Sequence, residues 1–295
     1  MAQDRVIVTA ALTGVLANRE QCPELPYTPE EIGEEARRAY EAGAAVVHIH
    51  GREPQTGAAT WSADIYRQIR DEVRARSPII LNFSTGGFNM GAETEAEKNG
   101  RLAYVWKTQP EMAALNMGSM NYAKYSAGRR AFVFDLVFPN PFGDILLAAK
   151  AMREGGVKPE LECFDLGHVA NAEPLLQLGA LRRPLQYSFV LGVLGGAPPQ
   201  AETLATMARS ITAQDTWEVI GIGRAQWRLV GAALALGGNI RVGLEDNFYL
   251  DAAGTQMARG NGPLVEKAVR MARDVGREPM SPDEARKALT LPQQW

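Results

Sequence analysis

Short apolar runs alternate with longer amphipathic segments along the whole chain. Eight of the runs are nearly continuous in apolar residues, which is typical of strands buried on both faces of a parallel sheet. They are Val6–Leu12, Ala45–His50, Ile79–Ser84, Met112–Met117, Leu161–Phe164, Leu185–Val193, Trp217–Ile222 and Ile240–Glu245. The pattern therefore predicts eight buried parallel strands.

The segments between these runs carry helix start signals. Thr28 precedes Pro29 and two glutamates, which places an N-cap residue before a proline and an acidic first turn. A second helix is predicted from Ser62 to about Arg74. Further helical patterns cover Glu93–Lys107, Phe142–Glu154, Asn171–Leu178, Ala201–Ile211, Ala225–Leu236 and Pro263–Gly276.

Eight strands, each followed by a helix, indicate an α/β fold of the single (β/α)8 TIM-barrel type. The 295 residues fit one such barrel, so residues 1–295 are expected to form one catalytic domain. A doubly wound sheet is the alternative. Residues 121–135 interrupt the rhythm after the fourth strand, and such an excursion indicates an active-site lid or a subunit contact.

Composition and charge narrow the function classes. Apolar residues make up 46% of the chain and the net charge is −3, so a globular core is expected and a nucleic-acid partner is not. No run approaches the ~20 apolar residues of a membrane span. Cys22 and Cys163 lack a CxxC partner and are expected to be buried thiols of a cytoplasmic protein.

Candidate chemistry begins with His48 and His50 at the end of the second predicted strand. Residues i and i+2 of a strand point to the same face, so the two imidazoles lie side by side. Barrel enzymes place their active sites at this end of the strands. The pair therefore indicates a metal site, against the alternative of two satisfied core histidines.

A metal site that does chemistry needs a third protein ligand. His168, the remaining histidine, is expected to be a solvated helix residue. The eighth strand ends in Glu245, Asp246 and Asn247, and a carboxylate from this end would complete a site of two histidines and one carboxylate. Imidazole ligands favour zinc, with other divalent metals open.

Hydroxyl and glycine residues follow three other strands. Ser84, Thr85 and Gly86, with Gly87 behind them, would expose backbone N–H groups that suit a carboxylate or oxyanion. Gly192–Gly196 and Gly221–Arg224 resemble loops that bind phosphate in barrels, where a nucleotide-bearing cofactor would fit. Each of these patterns is also an ordinary turn.

Nine stretches in this order resemble the β-keto acid cleavage enzyme family. They are Thr9–Gly14, Leu25–Glu31, His48–Glu53, Ser84–Gly87, Leu115–Asn116, Pro159–Glu162, Phe189–Val193, Gly221–Arg224 and Arg241–Asn247.

The resemblance implies a zinc enzyme that converts a β-keto acid and acetyl-CoA into acetoacetate and a shorter acyl-CoA. The implied zinc ligands are His48, His50 and Glu245, with Asp246 as general base and Arg241 as its orienting partner. Ser84, Asn116 and Glu162 would contact substrate or line its pocket. A homotetramer is also implied.

Two positions depart from the family member that acts on an amino-substituted β-keto acid. Leu16 replaces the glutamate that meets the substrate's ammonium group, and Ala114 replaces a threonine. We therefore expect a substrate whose tail is uncharged.

Three rival functions stay open at this point. A metal hydrolase of the amidohydrolase type would need more strand-end histidines than the chain offers. A metal-dependent carbon–carbon lyase would act on a related keto or hydroxy acid without acetyl-CoA. A metal-stabilised ligand sensor would bind and not turn over.

Overall fold

The computed structural model describes residues 4–86 and 94–291. Its strands are β1 Arg5–Val6, β2 Val8–Thr13, β3 Val46–Ile49, β4 Ile80–Phe83, β5 Met112–Asn116, β6 Met120–Ser126, β7 Ala131–Phe138, β8 Lys158–Cys163, β9 Gln186–Leu191, β10 Thr216–Gly221, β11 Asn239–Val242 and β12 Glu278–Pro279. Eight of them form a closed barrel in the order β10-β11-β2-β3-β4-β5-β8-β9, and every pairing within it is parallel. The predicted TIM barrel is thereby confirmed.

Helices follow the barrel strands, as the amphipathic segments predicted. They are α1 Pro29–Glu41, α2 Ala63–Arg76, α3 Glu95–Thr108, α4 Phe142–Gly155, α5 Leu166–Ala170, α6 Ala172–Gln177, α7 Ala201–Arg209, α8 Gln226–Ala235, α9 Asn261–Asp274 and α10 Pro282–Ala288. Thr28 and Glu31 form the capping box that begins α1. The predicted start of the third helix at Glu93 lies outside the described residues, and α3 begins after the N-cap Thr94.

Two predicted strand boundaries were wrong by three residues. β8 begins at Lys158 and not at Leu161. The prediction started too late because Glu160 interrupts the apolar run in the sequence, although its side chain is buried within the strand. β11 ends at Val242, and Gly243 with φ +148° turns the chain, so Glu245 and Asp246 stand beyond the strand.

The interruption at residues 121–135 is an ordered β-hairpin and not an irregular loop. β6 and β7 pair antiparallel from Met120–Phe138 to Ser126–Ala131. Tyr122 packs on the edge of the Phe138 ring near the mouth of the barrel. Phe132, Val133 and Val137 of β7 are exposed.

The N-terminal end of the barrel is closed by an apolar plug. Ile7, Val46, Ile80 and Met112 pack with Ala285 of α10, a helix that the apolar pattern did not predict, and with Leu289, the C-cap residue of that helix. Above this plug the barrel interior turns polar, with buried Thr9, Asn82, Glu160, Ser188 and Glu218. The functional groups of the chain therefore lie inside and above the barrel.

The predictions about the two cysteines and about membrane-spanning helices can be compared with the structure. Cys22 and Cys163 are free and buried, as predicted. In the described residues, no helix combines the length and apolar character that a membrane crossing requires.

Candidate metal centre and active site

His48, His50 and Glu245 meet at the C-terminal mouth of the barrel. His48 Nε2 lies 3.6 Å from Glu245 Oε2, and His50 Nε2 lies 3.4 Å from Glu245 Oε1. One ligand atom from each residue falls within 4.8 Å of the other two. The predicted convergence of two imidazoles from β3 and one carboxylate from beyond β11 is therefore present.

The hydrogen bonding of this cluster leaves ligand atoms free for a cation. Both ring nitrogens of His48 and Oε2 of Glu245 are buried without a hydrogen-bond partner. Buried polar atoms are normally paired, and an unpaired one indicates a missing ion or water. Two imidazole nitrogens and a carboxylate are also the donor set of catalytic zinc sites. The residues present therefore fit a divalent metal.

Backbone turns bring Glu245 to the histidines. Gly243 is required at the turn, because a Cβ there would lie 2.2 Å from the carbonyl oxygen of Ala11. Gly14, after β2, leaves room for the acid: its Cβ would lie 2.7 Å from Cγ of Glu245. The Glu245 backbone N–H donates to the carbonyl of Ala11 at 3.2 Å. The turn after β11 is thus packed directly on β2.

Arg241 joins the acids of the site from inside the barrel. Its Nε lies 2.9 Å from Asp246 Oδ2, and its Nη2 contacts Asp246 Oδ1 at 3.1 Å and Glu245 Oε1 at 2.7 Å. The other terminal nitrogen, Nη1, approaches Glu162 Oε1 at 3.4 Å. The guanidinium is buried and contacts both oxygens of the Asp246 carboxyl.

Burial separates the pKa values of the acids. Burial raises the pKa of Asp246 to about 6, with the charge of Glu245 adding to it and that of Arg241 opposing it. Burial and the charge of Glu160 raise the pKa of Glu162 to about 8. Burial acts the same way on Glu245, but Arg241 and the two histidines outweigh it and hold its pKa well below the usual range. The cation beside Asp246 therefore does not remove its basicity.

A cavity of about 180 Å³ opens above the cluster. Its polar lining residues are His50, Ser84, Asn116, Glu162, Glu245 and Asp246. Its apolar and aromatic lining residues are Val15, Leu16, Tyr122, Phe138, Phe164 and Ile222. Leu16 is 52% exposed at the rim, and the base of the β6–β7 hairpin forms one wall.

The predicted loop residues do not all lie at the cavity. Thr85 is not among the described residues that line this cavity, and its hydroxyl donates to the carbonyl of Ala114. Gly86 lines the cavity, whereas Gly87 lies outside the described residues. The backbone N–H of Gly223 donates to the Asp246 carbonyl at 2.8 Å, so this glycine loop buttresses the acid turn.

The expectation that His168 is solvated was wrong. It lies on α5 as predicted, but it is only 6% exposed, and the Phe164 backbone N–H donates to its Nδ1 at 3.3 Å. A Cβ on Gly118 would meet its ring at 2.5 Å, so the histidine fills a gap left by that glycine. His168 does not belong to the metal-type cluster among the described residues, which leaves a many-histidine hydrolase without support.

Two kinds of residue were missed by the sequence reasoning. Glu160 and Glu218 lie buried in the barrel near His48, and the signal available was an acid directly before one apolar run for Glu160 and inside another for Glu218. Arg52 was noted only as part of a motif. Its buried guanidinium donates to Thr13 Oγ1 at 2.8 Å and to the Ala17 carbonyl at 2.7 Å, which anchors the loop that carries Leu16.

Comparisons with known proteins agree with this geometry. The model of the beta-keto acid cleavage enzyme family matches residues 5–291. The 3-keto-5-aminohexanoate cleavage enzyme of Fusobacterium nucleatum is 38% identical over 289 residues, 98% of this chain and 98% of that protein. The 3-dehydrocarnitine:acetyl-CoA trimethylamine transferase of Rhizobium meliloti is 33% identical over 306 aligned positions, 97% of this chain and 96% of that protein.

A solved structure supports the fold alone. The structure of apo ObcA superposes with a TM-score of 0.76 at 24% identity, covering 91% of this chain and 66% of that chain.

Proposed function

Because the chain belongs to the beta-keto acid cleavage enzyme family, whose members are acetyl-CoA-dependent transferases of keto acids, we propose that it exchanges acyl groups between a β-keto acid and acetyl-CoA with zinc as its metal. The products would be acetoacetate and a shorter acyl-CoA. The observation that carries the proposal is the meeting of His48, His50 and Glu245 beside the Arg241–Asp246 pair.

His48, His50 and Glu245 would hold the ion through atoms that the protein leaves unpaired or only loosely paired. When bound, a divalent cation supplies positive charge that fixes the keto and carboxylate oxygens of the substrate and acidifies its C2 hydrogens. The imidazole-rich donor set favours zinc over magnesium.

Atom balance assigns the bond changes. Acetoacetate joins the acetyl group to a CH2–COO⁻ unit, so C2 of the keto acid must bond to the acetyl carbonyl carbon while CoA thiolate leaves. The thiolate then attacks the keto carbon that bears the tail, and the bond from that carbon to C2 breaks. C2 regains one proton. One base that first removes and later returns a proton at C2 is sufficient.

Asp246 is suited to move this proton. Its carboxyl is buried, lines the cavity and is directed by two contacts from Arg241. A base works best when its pKa is near the working pH, and burial has moved the pKa of Asp246 to about 6. Glu162 faces the same cavity with a pKa of about 8, so at neutral pH it can donate a hydrogen bond to a substrate oxygen.

Ser84 and Asn116 would position the substrate within the cavity. Both side chains are buried and line the cavity. The Ser84 hydroxyl accepts from the Gly86 backbone N–H at 3.2 Å, which leaves its own proton free to be donated. Neutral donors at this place suit a carboxylate or keto oxygen.

The apolar part of the cavity lining supports a substrate with an uncharged tail. Its side chains, including Leu16, Phe138 and Ile222, carry no charge. A tail ammonium placed there would lose hydration without gaining a partner, which costs binding free energy. The relative from Fusobacterium nucleatum is named for an amino-substituted substrate, so we expect the two proteins to prefer different tails.

We also propose that the protein works as a cytoplasmic homotetramer. The exposed apolar side chains of β7, with Phe132 at 58% and Val137 at 62% exposure, support contact with another copy. Light scattering coupled to gel filtration tests this: a tetramer is expected, and a monomer at all concentrations contradicts it.

A panel of β-keto acids tests the proposed activity. Each acid is incubated with acetyl-CoA, acetoacetate is measured, and the bound metal is determined by elemental analysis. We expect acetoacetate only when acetyl-CoA is present, with uncharged tails preferred. Cleavage without acetyl-CoA would instead support a lyase, and better turnover of 3-keto-5-aminohexanoate than of apolar acids would refute the tail assignment.

A further inference from the structure

A polar layer crosses the barrel directly beneath His48. Thr9 of β2, Asn82 of β4, Glu160 of β8, Ser188 of β9 and Glu218 of β10 are all buried, and their side chains touch one another. Barrel interiors of this type are usually filled by branched apolar side chains. Two carboxyl groups in such a place need a specific arrangement of protons, because unpaired buried charge is costly.

Hydrogen-bond distances link the two carboxyls through one hydroxyl. Ser188 Oγ lies 2.6 Å from Glu160 Oε1 and 3.1 Å from Glu218 Oε1. The remaining oxygen of Glu218 is 2.7 Å from Thr9 Oγ1. The remaining oxygen of Glu160 accepts from the Asn82 amide and lies 3.7 Å from His48 Nδ1.

Proton counting then fixes the charges. The Ser188 hydroxyl has one proton and therefore donates to only one of the two carboxyls. If both were ionised, the other carboxylate would face the lone pairs of Ser188 Oγ with no proton between them. One carboxyl must therefore carry a proton and donate it to Ser188.

The proton belongs on Glu218. Glu160 already receives an amide N–H from Asn82 and faces an imidazole, which are the partners of an ionised carboxylate. The two oxygens of Glu218 each contact a hydroxyl, and a hydroxyl can accept as well as donate. Burial and the charge of Glu160 raise the pKa of Glu218 well above its usual range, in agreement with the count.

We propose that Glu160 is the positioning residue of His48. In this proposal a protonated Glu218 stabilises the negative charge of Glu160 through the hydrogen-bonded chain Glu218–Ser188–Glu160. The chain directs Nδ1–H of His48 toward Glu160 and leaves Nε2 to face Glu245. Histidine ligands generally donate their second N–H to a carboxylate or a carbonyl, which fixes the ring and its tautomer. Formation of that hydrogen bond needs the two atoms to approach by about 0.5 Å.

A second arrangement of the same residues makes the inference refutable. One atom each from His48, Glu160 and Glu162 also falls within 4.8 Å of the others, which would suit an ion on Nδ1. In that case Glu160 would be a ligand and not a positioning residue. The metal-facing part of our inference rests on the proposed function, whereas the protonated state of Glu218 does not.

Spectroscopy of the wild-type protein tests the inference without relying on a variant that could misfold. The chain has three histidines, so nitrogen-15 NMR of the zinc-loaded, histidine-labelled protein is readily assigned. We expect His48 to bind zinc through Nε2 and to carry a proton on Nδ1. Zinc on Nδ1 would overturn the assignment of Glu160.

Matched glutamine variants test the direction of the chain. In Glu218→Gln the new amide can donate to Ser188 and accept from Thr9 as a protonated acid does, so zinc affinity should stay within about 3-fold of wild type. In Glu160→Gln one carboxylate oxygen becomes an amide nitrogen, which cannot accept the hydrogen bonds that Glu160 receives. The zinc affinity of this variant should fall about 10–100-fold. Chelator competition measures both, with circular dichroism to verify folding.

The infrared difference spectrum of wild type minus Glu218→Gln reads the proton itself. A carbonyl stretch of a protonated carboxylic acid should be present at neutral pH with or without zinc. Its absence, or equal losses of zinc affinity in the two variants, would refute the proton chain. A wild-type protein that binds no zinc but shows this band would refute the proposed function and leave the chain standing.

Discussion

Neighbouring acids in the turn after β11 have opposite electrostatic surroundings. Glu245 faces two imidazoles and Arg241, which together outweigh burial and lower its pKa, whereas burial raises the pKa of Asp246 to about 6. Such a separation assigns different roles to two carboxyls of the same site. In the proposed function, Glu245 would stay ionised as a ligand and Asp246 would exchange a proton.

At the residue scale, the Asp246→Asn variant separates binding from turnover. The amide keeps the shape of the carboxyl but cannot accept a proton, so acetoacetate formation should fall by about 10²–10⁴-fold. Zinc content and binding of the keto acid should persist, because Asp246 is not among the ligand atoms of the cluster. Calorimetry of substrate binding beside the rate assay checks both halves. Undiminished turnover would mean that another group is the base.

Leu16 offers a second test at this scale. It lines the cavity and is about half exposed to solvent. A glutamate there could pair with a tail ammonium, although partial exposure limits the gain. Leu16→Glu should shift the ratio of kcat/KM values toward 3-keto-5-aminohexanoate by about 10-fold, with Leu16→Gln as the uncharged control. An equal shift in the glutamine variant would show that charge is not the cause.

The residues that sequence could and could not predict differ in where their signals lie. His48 and His50 were predictable because a strand places i and i+2 on one face, and Glu245 because strand ends converge in a barrel. Glu160 and Glu218 were not assigned, since an acid within or beside an apolar run gives no clue to its partners across the barrel. Thr85 was predicted to contact the substrate, but its hydroxyl donates to the backbone carbonyl of Ala114. The sequence of the turn does not show that contact.

At the element scale, the positions of the cluster side chains depend on the glycine turns around them. Gly14→Ala places a methyl group against the Glu245 side chain, where a separation of 2.7 Å between Cβ and Cγ is too short. Zinc affinity should fall by about 10-fold or more while the barrel stays folded, since a displaced ligand loosens the site by roughly this much. Gly128→Ala, which meets nothing within 4 Å, is the matched control. Equal affinities in both variants would contradict the role of Gly14.

The start of α1 gives a pH-dependent prediction. The Glu31 carboxylate accepts from the backbone N–H groups of Tyr27 and Thr28 at 2.8 and 3.1 Å, and these contacts with Arg19 outweigh burial and lower its pKa. Glu31→Gln keeps the capping geometry but removes the charge, and because the Glu31 side chain is 42% exposed, solvent screening limits the expected cost to about 0.5 kcal/mol at neutral pH. The difference from wild type should be complete above the unfolded pKa of about 4.3 and shrink as pH falls below it. Urea unfolding at several pH values measures this, and a pH-independent difference would exclude the charge as its cause.

Element boundaries show the limit of the apolar pattern in the same way. The eight barrel strands were predicted in order, because each is buried on both sides. The β6–β7 hairpin and α10 were missed as elements, since β7 exposes several of its apolar residues and α10 packs only against the end of the barrel. The pattern of apolar residues therefore identifies elements that are buried on both faces more clearly than elements that are buried on one face.

At the scale of the whole molecule, zinc binding should stabilise the fold. A ligand in about 100-fold excess over its Kd contributes about 2.7 kcal/mol to the free energy of unfolding. Adding zinc to stripped protein should therefore raise Tm by several degrees. His48→Ala should lose this increment, whereas His168→Ala, outside the cluster, should keep it despite a lower starting Tm. An increment that survives in His48→Ala would place the ion elsewhere.

The rate of acetoacetate formation by metal-stripped and zinc-restored protein tests the central claim most directly. An uncharged β-keto acid and acetyl-CoA are the substrates, and only the metal content differs between the samples. The account predicts that stripping abolishes the rate and that zinc restores it. A stripped sample that forms acetoacetate at the full rate would contradict the metal centre of His48, His50 and Glu245.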